Sequence, residues 1–159
     1  MKSIITFILI VLFPFSIFSQ KISVGSSLGL ISVDNNNGFN GNLYAAYNLN
    51  DKISIGGDVL FGNGESNFKT SAYMAYIEAG SSSWSLDDKH IFYFSGMLGL
   101  GNVEKKVENF KEDAFTFYAG TKLNINLNPK FIFGVKSGIY LSKLDYNPIL
   151  ANLFFTYKF

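Results

Sequence analysis

Apolar and polar residues alternate along most of this chain, which predicts strands and not helices. Successive side chains of a strand turn to opposite faces, so a period of two marks a sheet with two unlike surfaces. Ile149, Ala151, Leu153, Phe155, Tyr157 and Phe159 share one face, opposed by Leu150, Asn152, Phe154, Thr156 and Lys158. Phe131, Phe133, Val135, Ser137, Ile139 and Leu141 alternate in the same way with Gly134, Lys136, Gly138, Tyr140 and Ser142. The pattern recurs over 115–127, 73–79, 53–61 and 43–49. Two glycine-rich stretches are less regular. In 22–33, Ser26 interrupts the apolar face and Ile31 falls opposite it. In 91–101, Phe92, Phe94, Leu98 and Leu100 are expected on one face, with Tyr93, Ser95, Met97 and Gly99 on the other. Eight strands follow.

The breaks between strands alternate in character. Asn50-Asp51, Leu86 to Lys89 and Asn128-Pro129 are short and turn-forming. The stretches 34–38, 62–67, 102–113 and 143–148 are mostly longer and polar, and are expected to be loops. This is an up-and-down meander with both chain ends on the side of the tight turns. The mixed charges of 102–113 suit a solvated extracellular loop, with Phe110 as a candidate partner contact.

Eight such strands cannot stay open in water with a greasy face and bare edges. Closure into a barrel removes the edges. A soluble barrel would point its apolar side chains inward, whereas a membrane barrel turns them to lipid. Phe115, Phe117, Phe131, Phe133, Phe155, Tyr157 and Phe159 lie on the apolar face, many near strand ends, where girdles form at bilayer interfaces. The opposite face carries Gly, Ser, Thr, Asn and Tyr with single charges, which suits a narrow packed lumen. The expected fold class is therefore all-β: an eight-stranded antiparallel up-and-down transmembrane β-barrel.

Composition supports that placement. Of 159 residues, 48% are apolar, 17% aromatic and only 16% charged, an unusual balance for a soluble domain. The 13 basic residues are all lysine and the formal charge is +1, which makes nucleic acid an unexpected partner. With no cysteine, disulfides and thiolate chemistry are excluded. Met1 to Ser19 reads as a secretory signal: Lys2, an apolar run over 4–18, and a small residue before the cut. Cleavage near Ser19 would leave 20–159 as the barrel domain.

In this pattern the chain resembles the small eight-stranded outer-membrane barrels of the OmpA/OmpX type. The sharpest element is Phe159 with Tyr157, Phe155 and Leu153 at alternate positions, which looks like that family's assembly signal. The resemblance implies the cell outer membrane as location, outer-membrane lipids as surroundings, and the barrel assembly machinery as a partner during insertion. A monomer without cofactor is expected.

Four charged side chains point to the lumen on this reading: Asp58, Glu78, Lys122 and Lys136. They fall at roughly one height, the carboxylates on strands three and four and the lysines on strands six and seven. A buried ionic cluster that plugs the lumen is expected, because an isolated ion at low dielectric is very costly. Other candidates carry less. His90 adjoins Asp87 and Asp88 in a turn, but sequence proximity does not make a Ser/His/acid relay with Ser83 or Ser85. Asp34 to Gly38 lacks the spaced acids of a calcium loop. Gly99 and Gly101 precede no helix, so no dinucleotide site is implied. Trp84 suits an interfacial anchor.

The expected function is a non-enzymatic outer-membrane barrel with a structural, envelope-maintenance or surface-interaction role. The alternatives are a narrow outer-membrane channel and a soluble periplasmic lipocalin-like barrel. The last would place Phe131, Phe133, Phe155 and Tyr157 inside.

Overall fold

The computed structural model describes residues 21–33, 36–64, 68–81, 83–85, 91–107, 110–143 and 147–159. The signal-like segment and the turn bearing Asp87, Asp88 and His90 lie outside these residues. Eight long strands carry the fold: β1 (Ile22–Val33), β2 (Asn36–Asn48), β3 (Ile53–Gly64), β4 (Phe68–Gly80), then, after the two-residue β5 (Trp84–Ser85), β6 (Ile91–Val107), β7 (Phe110–Asn128), β8 (Phe131–Ser142) and β9 (Ile149–Lys158). Each long strand pairs antiparallel with its neighbour in the chain, and β1 pairs with β9, so the sheet closes on itself. β5 prolongs the ladder of β4 against β6 after a one-residue offset.

Two turn-end hairpins use one device. The Asn50 side chain accepts from the amides of Lys52 and Ile53, both at 2.8 Å. The Asn128 side chain accepts from Lys130 at 2.9 Å and Phe131 at 3.0 Å. Asparagine mimics a backbone turn in this way, and it narrows the connection to a few residues.

The opposite end differs from the sequence expectation. Val33 pairs with Asn36, and Val107 pairs with Phe110, so the connections there are tight as well. Most of 102–113 is therefore strand and not loop, as are Asn36 to Gly38 and Gly62 to Gly64. Above the apolar belt both faces of a strand are wet, so alternation no longer marks it. The outward-facing Glu104 and Lys111 pair across this hairpin at 2.7 Å, and the Glu104 carboxylate raises the lysine pKa.

The outer surface is apolar and the lumen holds the charges. Leu28, Phe39 and Leu98 are more than 70% exposed, whereas Lys136 is 2% exposed. Aromatic rings gather near the turn end, where Phe131 stacks at 5.3 Å on Phe155 and 5.1 Å on Tyr157, and Tyr157 meets Phe159 at 4.9 Å. A second pair, Phe115 and Phe117, lies toward the other end. This is the inverted arrangement of a membrane barrel. It removes the lipocalin-like alternative, whose ligand pocket needed Phe133 and Phe155 inside.

Inside, lumenal glycines make room for rings on the adjacent strand. Gly56 is paired with Tyr76, and Gly134 with Phe154. A Cβ at Gly56 would stand 2.7 Å from the Tyr76 ring, and one at Gly134 2.9 Å from the Phe154 ring and closer still to the Leu123 carbonyl. No side chain fits there without displacing backbone. Gly134→Val is expected to cost on the order of 3 kcal/mol or more, read as a lower urea midpoint for the barrel in detergent.

Candidate functional site

The lumen is layered. Its loop-end half is packed by Ile31, Leu60, Met74, Tyr118, Tyr140 and Leu150, all buried and part of one apolar cluster. The sequence pattern puts small and polar residues on the inner face together with Ile31, Met97, Leu150 and Phe154; the structure gathers apolar residues into a plug over an ionic layer. Apolar residues on the inner face of β1, β3 and β9 meet there because closure brings their upper ends together.

Below the plug, two ion pairs span the barrel. Lys136 on β8 reaches Asp58 on β3 at 3.1 Å, with both side chains 2% exposed. Lys122 on β7 reaches Glu78 on β4 at 2.6 Å. The four charged residues of the sequence reading thus meet as two cross-lumen pairs, although their sequence separations are 78 and 44.

Amides and hydroxyls complete the valences of the carboxylates. Asn42 donates to both oxygens of Asp58, at 2.8 and 2.9 Å. Asn152 donates to Asn40 at 2.6 Å and to Asn42 at 3.2 Å, and Asn40 returns a bond to Asn152 at 2.9 Å. Ser27 donates to Asn42. On the other pair, Ser95 donates to Glu78 at 2.6 Å and receives Asn124 at 3.0 Å. Tyr44 joins the two halves: its ring lies 4.9 Å from the Lys122 ammonium and 5.3 Å from that of Lys136. Its hydroxyl bonds Thr156 at 2.5 Å.

Buried ions require this degree of satisfaction, because desolvation otherwise exceeds the attraction between them. Sequence reasoning had not assigned roles to Tyr44, Asn40, Asn42 or Asn152. Their inward parity was legible, but polar residues on a lumenal face name no partner.

Leu153, Phe155 and Phe159 stand exposed on the outer surface, with Tyr157 half-buried among the aromatic rings beside them. Trp84 lies in β5. Gly99 and Gly101 sit within β6, where a strand continues on both sides. The lumenal ladder contains ion pairs and amides but, among the described residues, no cluster of metal-ligating side chains.

A closed ring of eight antiparallel strands, apolar outside and ionic within, defines a transmembrane β-barrel. In fold it is one of the small eight-stranded outer-membrane barrels. Neisserial surface protein A superposes with a TM-score of 0.60 at 12% identity, over 87% of this chain and 96% of that one. The N-terminal β-barrel domain of Pseudomonas aeruginosa OprF gives 0.54 at 13% identity, over 88% and 98%. The outer-membrane enzyme PagL gives 0.54 at 10% identity, over 86% and 99%. At these identities the likeness is one of fold. No family model and no curated protein matches the chain.

Proposed function

We propose that this chain is a non-enzymatic barrel of the outer membrane that serves a structural, envelope-maintenance or surface-interaction role with its lumen closed by side chains. The observation that carries this reading is the stacking of an apolar plug on two buried ion pairs, all inside a greasy outer belt. Such an interior ties the strands together across the lumen and supports a lumen closed by side chains. The superposed barrels support the location. One of them is an enzyme, so the fold itself is compatible with catalysis. The ion pairs here lie beneath the plug, which among the described residues covers them from the loop end.

On this reading the segment 1–19 directs export and is removed near Ser19. The outward stripe Leu153, Phe155, Tyr157 and Phe159 is the feature presented to the assembly machinery during insertion, and the folded barrel is a monomer in outer-membrane lipid.

Electrophoresis of membrane fractions tests the reading. The unheated protein should migrate faster than the boiled protein, and osmotic shock should leave it with the membranes. Planar bilayers should show no discrete conductance steps. Regular steps would favour the narrow channel, and release on osmotic shock would remove the membrane assignment.

A further inference from the structure

Below the ion pairs the lumen widens at the turn end into a vestibule of about 310 Å³. Its walls carry Lys21, Lys52, Lys122 and Lys158 against Asp51 and Glu78. Four positive and two negative groups leave an excess of two positive charges. Tyr76 also lines it. That residue is 2% exposed, yet its phenol oxygen has no hydrogen-bond partner among the described residues. Buried hydroxyls are nearly always satisfied, so each exception calls for a physical reason.

In the structure none of the neighbours of Tyr76 accepts from its hydroxyl. Glu78 is engaged by Ser95 and Lys122. The hydroxyl of Tyr44 is engaged by Thr156. Lys122, whose ammonium stands 5.8 Å from the Tyr76 ring centroid, is itself a donor. The ammonium has three N–H groups; its bond to Glu78 occupies one, and the others face the Tyr44 and Phe154 rings at 4.9 and 5.3 Å without a hydrogen-bond acceptor among the described residues.

A donor seeking an acceptor, a lysine with spare donors and a cationic rim are jointly complementary to an oxyanion. Lysine acts as a point charge toward phosphate and carboxylate, while a neutral O–H adds direction. The volume is at the lower end of small-molecule pockets. We propose that the turn-end vestibule binds a small solute bearing a phosphate or carboxylate group. The Tyr76 hydroxyl donates to an oxygen of that group, with Lys122 and the rim lysines supplying charge. The site is separate from lumen closure and stands whether or not the plug conducts.

The test uses the protein purified from membranes in a non-ionic detergent. Calorimetric titrations with inorganic phosphate and with acetate are run at constant ionic strength against a chloride control. Saturable binding of phosphate or acetate, absent with chloride, is expected. Tyr76→Phe should weaken it about tenfold, the worth of one hydrogen bond to a charged group. Lys52→Gln, at an exposed turn position, should weaken it about twofold. The fast-migrating unheated band reports folding of each variant; should Tyr76→Phe lose that band, Lys52→Gln decides. No saturation with either anion overturns the proposal, as does wild-type affinity in a folded Tyr76→Phe protein.

Discussion

Lys136→Met is expected to destabilise the barrel by about 3–5 kcal/mol, the usual result of leaving one buried charge without its partner. Methionine preserves much of the volume, so the loss isolates charge from packing. Asp58 would keep the two Asn42 bonds but lose its cation. Tyr44 would lose one of the two ammonium groups flanking its ring. The effect should appear as a lower temperature at which the fast-migrating band converts to the slow one. The double variant Asp58→Asn with Lys136→Met removes both charges and should recover most of the loss. A single variant as stable as the parent would show that the ionic layer does not hold the barrel together.

Leu98→Lys tests the opposite surface. Leu98 is 71% exposed and lies near the middle of the outer belt, paired with Ile77 and Ala119. On a water-facing sheet this change would be nearly neutral, within about 0.5 kcal/mol. Facing hydrocarbon, a lysine at the bilayer midplane costs roughly 2–4 kcal/mol. Reversible unfolding in lipid vesicles should reveal that loss. Asn102→Lys, level with the upper aromatic residues Tyr73 and Phe115 on the neighbouring strands, should change stability by less than about 1 kcal/mol, as expected near the interface. Equal tolerance at both positions would contradict the lipid-facing assignment.

The contrast between Leu98 and Lys136 also shows how far the chain could be read. Lys136 lies on a strand whose alternation is plain and Leu98 on the less regular β6, yet each side chain's facing follows from its parity. Glycine blurred the signal in β1 and β6, yet Ile31 and Met97 still occupy the parity assigned to them. The short strands drawn around 102–113 failed for a different reason. Glu104, Lys106 and Lys111 stand above the lipid belt, where neither face has to be apolar. Alternation weakens there although the backbone ladder continues through Val107 and Phe110.

Sequence alone determined the number of long strands, their up-and-down order and which side chains turn inward, because period two and turn chemistry are local properties. Only the tertiary structure decided that Asp58 meets Lys136 and Glu78 meets Lys122, that Asn40 meets Asn152, and that an apolar plug lies above them. Those neighbours depend on the tilt and stagger with which β1 closes against β9. Closure joins Ser27 to Asn152, 125 positions apart, and no local pattern encodes that distance.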